Sequence, residues 1–141
     1  MIHEKRIEIR WRDLDTFGHV NNAVYLTYLE ETRDEWVAGV TGNPNAISTY
    51  VLARVAIDFR RELTLSDDAV VGRCRLARIG TSSVHTREEL VTDGGELVAE
   101  AEAVLVARDP ESGRSRPLSE DERAALERVM TGTGSATRSD A

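Results

Sequence analysis

Hydrophobic and polar residues alternate near the start of the chain and then change their period. Residues 4–11 alternate, with Ile7, Ile9 and Trp11 on one side and Glu8 and Arg10 on the other, the pattern of a β-strand with one buried face. The polar, glycine-containing run 12–19 breaks this alternation and predicts a loop. From Asn21 to Trp36 the apolar residues recur every three or four positions, which predicts one long amphipathic helix.

Both ends of this helix carry suitable terminal residues. Asn21 or Asn22 can serve as the N-cap, because an asparagine side chain accepts a hydrogen bond from a free N–H in the first turn. Gly39 or Gly42 can end the helix, because glycine adopts the left-handed conformation common at helix C-termini.

The rest of the chain predicts four more strands and one short helix. The strand patterns cover 51–60, 69–79, 83–92 and 98–107. The run 93–95, Asp-Gly-Gly, is typical of a tight hairpin turn between the last two. A short helix is expected over 119–129, with Ser119 as N-cap and Glu122 completing a capping box.

This order of elements predicts an α+β fold in one domain. One strand, one long helix and four mostly antiparallel strands would place the apolar stripe of the helix on a sheet of about five strands. A single helix covers only part of one sheet face, so we expect a homodimer to cover more of the sheet. The domain is expected to span 1–130, and the Gly/Ser/Thr-rich tail 131–141 is expected to be disordered.

Composition and charge exclude several classes of protein. A net charge of −7, from 18 basic and 25 acidic residues, argues against a general nucleic-acid-binding protein. No apolar run approaches the roughly 20 residues that a membrane helix needs. The first residues lack the apolar core of a secretory signal, so a cytoplasmic location and no membrane partner are expected.

Cysteine, histidine and arginine usage adds three expectations. Cys74 is the single cysteine, so no internal disulfide can form, and a buried, unreactive thiol is favoured. The three histidines lack the spacing of metal ligands, so no metal is expected. All basic residues except one are arginines, and a guanidinium suits phosphate groups. Candidate anion contacts are Arg60, Arg61, Arg73, Arg75 and Arg78.

The loop before the long helix carries the candidate chemistry. Free N–H groups and the macrodipole make a helix N-terminus electropositive, so it can polarise a carbonyl and stabilise an oxyanion. Asp15 precedes that terminus and could attack the carbonyl or activate a water. Gly18 permits a tight turn. On spacing alone, a loop that only caps the helix is the simpler interpretation, and acyl transfer is the alternative.

A longer motif surrounds Asp15. It reads Asp13-x-Asp15-x-x-Gly18-His19-Val20-Asn21-Asn22-x-x-Tyr25, followed by Tyr28-x-Glu30-Glu31-x-Arg33. Weaker runs follow at 57–63, 67–68, 78–83 and 95–100. In these runs, over roughly residues 5–120, the chain resembles the 4-hydroxybenzoyl-CoA thioesterase family of hotdog-fold proteins.

The resemblance implies a fold and a site. A hotdog fold is an antiparallel sheet wrapped around one long helix, and two such sheets join in a dimer with active sites at the interface. The resemblance implies that Asp15 is the catalytic carboxylate and that the backbone N–H of Asn22 binds the thioester carbonyl. The pantetheine arm of coenzyme A would run between the subunits. The implied substrate-binding residues are His19, Val20, Asn21, Tyr25, Phe59, Arg60, Arg61, Gly80, Ser82 and Ser83.

Several of these residues have structural alternatives. Tyr25 and Phe59 fit either the core or the wall of an acyl pocket, and His19 fits a structural hydrogen bond equally well. Arg60 and Arg61 could be an exposed strand-end pair. Ser82 and Ser83 could simply form a turn, and Asp13 fits a loop-structuring carboxylate.

The expected activity is hydrolysis of an acyl-CoA or acyl-carrier-protein thioester to a free acid and a thiol. Asp15 would act as general base or as nucleophile through a mixed anhydride, and coenzyme A would enter only as part of the substrate, with no cofactor. The alternatives are a non-catalytic acyl-CoA-binding protein and a hotdog dehydratase or hydratase using His85 or His19. The acyl group, the preference between coenzyme A and carrier protein, and the choice of dimer or tetramer stay open.

Overall fold

The computed structural model of the chain describes residues 1–130 and the backbone of residues 138–140. Its helices and strands are β1 (Ile2–Glu8), α1 (Asn22–Thr41), β2 (Tyr50–Phe59), β3 (Ala69–Ile79), β4 (Ser83–Thr92), β5 (Leu97–Ala107), α2 (Glu120–Met130) and β6 (Arg138–Asp140). The predicted order, one strand, one long helix and four further strands, is confirmed.

The strands form one sheet in the order β2-β5-β4-β3-β1-β6. All neighbours among β1 to β5 are antiparallel, while β6 runs parallel to β1. The long helix α1 packs on one face of this sheet, which confirms the predicted α+β hotdog architecture. Within the described residues, β2 pairs only with β5 and lies at an edge. Of the predicted disordered tail, 131–137 and 141 lie outside the described residues.

The first strand is shorter than predicted. It ends at Glu8, and Trp11 begins a short 3-10 turn that runs to Asp13. The Asp13 carboxylate accepts a hydrogen bond from the backbone N–H of Arg10 at 2.9 Å, which curls the chain away from the sheet. Trp11, predicted to continue the strand, is therefore 79 % exposed.

Both predicted ends of α1 are confirmed. The Asn21 side chain accepts a hydrogen bond from the Ala23 N–H at 2.9 Å, as an N-cap should. Gly42 ends the helix with φ +71°, and its N–H donates to the Ala38 carbonyl. Gly39, the alternative end, lies inside the helix.

The helix meets the sheet closely at Gly72. A Cβ at this position would lie 1.9 Å from the Thr32 hydroxyl oxygen, so no other residue fits beneath the helix without movement. One residue further along the helix, Arg33 forms a buried two-pronged ion pair with Glu88, with both N–O distances 2.7 Å. Because breaking a buried pair leaves an uncompensated charge, this contact fixes the helix over β4.

Aromatic and aliphatic residues fill the core on both sides of that ion pair. Tyr28 and Leu29 pack against Val70 and Leu90 nearer the start of α1. Trp36, the last apolar residue of the predicted helix pattern, packs in a second cluster near the end of the helix, beneath α2. Cys74 lies in this cluster, and burial raises its pKa well above the usual value, as expected for an unreactive thiol.

The helix α2 is fixed by its own N-terminus. Ser119 and Glu122 exchange the two hydrogen bonds of the predicted capping box, at 2.8 and 3.1 Å. Glu122 also binds Arg116 and the Tyr50 hydroxyl. Burial favours the neutral acid, but hydrogen bonds from Arg116 and Tyr50 outweigh it and lower the pKa of Glu122 to about 2. No helix among the described residues is both long and apolar enough to cross a membrane.

Candidate active site

The first carboxylate of the motif, Asp13, is a structural residue. It is buried and accepts hydrogen bonds from the Tyr28 hydroxyl at 2.6 Å and from the Arg10 N–H at 2.9 Å. Burial and the Asp13 carboxylate together raise the pKa of Tyr28, which keeps its hydroxyl a donor. Asp13 thus connects the loop to the helix, as its loop-structuring interpretation expects.

The second carboxylate, Asp15, shapes the tight turn in which it lies. Its Oδ1 accepts from the backbone N–H of Phe17 at 2.8 Å and, more weakly, from that of His19 at 3.4 Å. Its main chain bonds to His19, and Gly18 provides the positive φ of +80° that the turn requires. In the described part of the chain, Oδ2 has no hydrogen-bond partner, so one carboxylate oxygen is available for chemistry.

The helix N-terminus that follows offers one free donor. The Ala23 N–H is bound by the Asn21 side chain, and the Val24 N–H by the Asn21 carbonyl at 2.8 Å. Among the described residues, the Asn22 N–H has no partner. An unpartnered N–H at the positive end of a 20-residue helix is a suitable donor to a carbonyl oxygen.

A short strand-like contact holds the rest of the loop. His19 bridges to Thr64, and the Val20 N–H donates to the Leu63 carbonyl at 2.8 Å. The His19 ring contacts the Glu62 carboxylate at 3.2 Å, and the Val20 side chain is buried in the core. The structure therefore brings His19, Val20 and Asn21 to the same loop as Asp15.

Tyr25 lies one turn into the helix and joins it to the segment after β2. Its hydroxyl donates to the Arg61 carbonyl and accepts from the Leu63 N–H, both at 3.0 Å. Burial is the main cause that raises its pKa. The buried ring meets Phe59 edge-on at 5.2 Å, and Phe59 is 44 % exposed. Tyr25 thus packs against Phe59 from the core side, and Phe59 is the exposed member of the pair.

The arginine pair after β2 is bound to acids. Arg60 contacts Glu100 at 3.0 Å. Arg61 binds Asp67 with two nitrogens at 3.1 Å and Glu96 at 3.0 Å, and its hydrogen bonds lower the pKa of Asp67. Both positive charges are balanced within the chain, and the predicted role of this pair with phosphate groups stays a prediction.

Gly80, Ser82 and Ser83 lie at the far end of β3. The Gly80 N–H donates to the Ser83 carbonyl, and a Cβ on Gly80 would lie 2.3 Å from the Ser83 hydroxyl. Arg123 of α2 donates to the Gly80 carbonyl at 2.8 Å and fixes the turn from outside. The turn lies at one end of β3, and the Asp15 loop lies near the other end of this 11-residue strand, which is roughly 33 Å long if fully extended. One chain therefore presents the predicted site residues as two separate groups.

Two features of the loop region could not be predicted from the sequence. Glu62 lies in the run 57–63. Its contact with the His19 ring forms only because the loop pairs with residues 63–64 in the folded chain. Trp11 and Phe17 are 79 % and 82 % exposed beside the loop, and no periodicity could show that.

The two histidines of the dehydratase alternative differ in their partners. His85 lies on the sheet face opposite α1 and contacts Arg78 and Ser83 rather than an acid, whereas His19 contacts the Glu62 carboxylate at 3.2 Å. In the part of the chain that the structure describes, no group of three His, Cys, Asp or Glu side chains could hold a metal ion.

Known proteins resemble this chain in sequence and in fold. The profile of the thioesterase-like superfamily matches residues 9–126. The long-chain acyl-CoA thioesterase FadM of Escherichia coli (strain K12) is 28 % identical over 136 residues, which cover 90 % of this chain and 98 % of that protein. A thioesterase from Thermus thermophilus, crystallised with coenzyme A and Zn, is 33 % identical with a TM-score of 0.81, covering 92 % and 93 % of the two chains.

A more distant structure supports the fold alone. The DHNA-CoA thioesterase of Staphylococcus aureus is 14 % identical, with a TM-score of 0.84 and coverage of 97 % of both chains.

Proposed function

We propose, because the chain belongs to the thioesterase-like superfamily, that it hydrolyses an acyl-CoA thioester to a free acid and coenzyme A. The observation that carries this proposal is the pairing of Asp15, with one carboxylate oxygen unbound, with the unpartnered N–H of Asn22 at the start of α1. A relative that shares 28 % of its sequence is named for long-chain acyl-CoA, which supports the substrate class.

The reaction would use the two groups in sequence. The Asn22 N–H donates to the thioester carbonyl oxygen and stabilises the negative charge that develops there. In one route, Asp15 takes a proton from a water that attacks the carbonyl carbon, and the tetrahedral intermediate then expels the thiolate. In the other, Asp15 attacks the carbonyl carbon itself, which releases the thiolate and leaves a mixed anhydride for water to cleave. Neither route needs a metal or a cofactor, so we propose that coenzyme A enters only as part of the substrate.

We further infer a cytoplasmic homodimer with sites shared between subunits. The unpaired edge of β2 supports it, because an exposed strand edge is a ready place for a second copy to pair. The position of the Asp15 loop and the Gly80 turn at opposite ends of β3 supports it too, because a two-fold axis at the β2 edge would bring the loop of one subunit towards the turn of its partner.

The activity is tested by measuring thiol release from a panel of acyl-CoAs of increasing chain length, with the matching acyl-carrier-protein and acyl-pantetheine thioesters beside them. Release from at least one acyl-CoA is expected. Tight binding of acyl-CoA without release would favour a binding protein, and absence of both would overturn the proposal. Single-turnover hydrolysis in labelled water separates the two routes, since only the anhydride route places an enzyme oxygen in the product.

The shared site predicts complementation between two inactive variants. Asp15→Asn removes the carboxylate, and Ser82→Trp blocks the turn at the other end of β3. When the two are co-expressed, half of the dimers are mixed and each mixed dimer holds one intact site. About a quarter of the wild-type activity per chain should return.

The control for this mixture is each variant expressed alone and mixed only after purification without subunit exchange. A co-expressed mixture no more active than these controls would mean that each site lies within one chain.

A further inference from the structure

The helix α2 holds the turn at 80–83 through one side chain. All four backbone carbonyls of this turn accept hydrogen bonds from within the chain, at 2.8 to 2.9 Å. Three of the donors are backbone N–H groups, those of Leu118, Ala107 and Gly80. The fourth is the guanidinium of Arg123, which reaches the Gly80 carbonyl at 2.8 Å. The acceptors of the turn are therefore occupied, and α2 supplies one of the donors.

The donors of the same turn are in a different state. Within the described residues, neither the Thr81 N–H nor the Ser82 N–H has a hydrogen-bond partner. A backbone N–H donates readily to an oxygen that comes from outside the chain. The proposed dimer brings this turn towards the Asp15 loop of the other subunit, so the oxygens that meet these two donors would be those of the substrate.

Arg123 differs from other partly or fully buried arginines in what it binds. Arg33 and Arg116 each form an ion pair with a carboxylate. Arg123 is half-buried and has no acidic partner in the described part of the chain. Its Nη2 lies 2.8 Å from the Gly80 carbonyl oxygen and 3.5 Å from that of Thr81. A charged donor makes a stronger hydrogen bond than a neutral one, so Arg123 restrains the turn firmly.

The preceding residue of α2 fixes the helix at a second point. Glu122 binds Arg116 at 2.7 and 3.1 Å and accepts a hydrogen bond from the Tyr50 hydroxyl. Tyr50 is the first residue of β2, the edge strand at which the proposed dimer pairs. Glu122 and Arg123 therefore attach the first turns of α2 to the dimer edge and to the turn at 80–83.

We propose that Arg123 is a positioning residue for the thioester. It acts through the turn and without contact to the substrate, by keeping the turn in the conformation that leaves the Thr81 and Ser82 N–H groups free. These donors would then bind the pantetheine arm of the thiol, whose amide carbonyls are acceptors. The role rests on the proposed function, and it gives α2 a part in substrate binding.

The test compares thioesters with an ester that lacks the pantetheine arm, in the variant Arg123→Met. Methionine keeps an unbranched apolar side chain and removes every donor. The helix should stay in place, because Leu126 holds it in the core cluster of Trp36. We expect the KM for acyl-CoA and for acyl-pantetheine to rise about 10-fold, the scale of one hydrogen bond to a charged group, with kcat retained.

Two further results are expected from this test. The KM for a p-nitrophenyl ester of the same acid should stay unchanged, because this ester has no arm for the turn to bind. Arg123→Lys retains a charged donor and should restore part of the lost affinity for the thioesters.

The matched control is Arg114→Met. Arg114 is exposed between β5 and α2, and its side chain has no hydrogen bond or ion pair among the residues that the structure describes. This variant should leave every KM unchanged. An unchanged KM for both thioesters in Arg123→Met would overturn the proposal. An equal loss with the p-nitrophenyl ester would overturn it too, because Arg123 would then only stabilise the fold.

A binding measurement separates this proposal from the proposed function. Coenzyme A is titrated by calorimetry into the wild type and into Arg123→Met, while the amide signals of Thr81 and Ser82 are followed by NMR. Shifts of these signals, with about 10-fold weaker binding to the variant, support the role of Arg123 even if no thioester is hydrolysed. Hydrolysis by the wild type with equal binding to both proteins would sustain the enzyme and reject this role, and so would absence of binding to the wild type.

Discussion

Asp15→Asn is expected to lower kcat for acyl-CoA hydrolysis by about 10²- to 10⁴-fold, the range for loss of a positioned acid–base group. Asparagine retains an Oδ1 that can accept from Phe17 and His19, so the turn should keep its shape. The variant loses only the charge and the reactivity of the second oxygen. Initial rates of thiol release measure the loss, and thermal melts verify that the fold survives.

Asp13→Asn is the matched control two residues away. Its carboxylate is buried and occupied by Tyr28 and Arg10, so the same substitution should cost stability more than turnover. If instead Asp13→Asn abolished turnover and Asp15→Asn remained fully active, the catalytic carboxylate would have been assigned to the wrong residue.

Asn22→Pro is expected to lower kcat by about 10²- to 10³-fold, the cost of removing one oxyanion donor. Proline removes the backbone N–H and is favoured at the first position of a helix, so α1 should persist. The preceding Asn21 has φ −61° and ψ 138°, a conformation that a following proline permits. Steady-state kinetics with the best acyl-CoA of the panel would measure the effect.

The companion substitution is Asn22→Ala, which removes the side chain and keeps the N–H. Its kcat should stay close to that of the wild type, because the proposed role belongs to the backbone. Circular dichroism of both variants checks the helix. Equal losses for alanine and proline would assign the function to the Asn22 side chain and contradict the proposed donor.

Local signals in the sequence predicted most of the fold. The helix α1, its cap Asn21 and its end Gly42 follow from periodicity and from residues that act within one turn. The Asp-Gly-Gly hairpin and the capping box of α2 are local in the same way. The family resemblance, rather than any of these patterns, selected Asp15 over Asp13.

What the sequence could not show depends on contacts between distant residues. Nothing in the sequence indicated ion-pair partners for Arg60 and Arg61, because Glu100, Asp67 and Glu96 come close to them only in the folded chain. Trp11 fitted the alternation of a strand, yet the Asp13 side chain ended that strand three residues earlier.

The separation of the site into two groups was equally hidden from the sequence. The order of motifs along a chain does not show how far apart they lie in the folded protein. The extended length of β3 places the Asp15 loop and the Gly80 turn at opposite ends of the sheet.

The turn around Asp15 also has an evolutionary meaning. The oxygen that organises the loop is one that aspartate and asparagine have in common, whereas the proposed catalytic role belongs to the other. A single nucleotide change can therefore silence such an enzyme while the loop and helix end remain in place. Within this lineage, thioesterases and inert acyl-CoA carriers would be neighbours in sequence space, and a descendant with asparagine at this position should be suspected of binding without turnover.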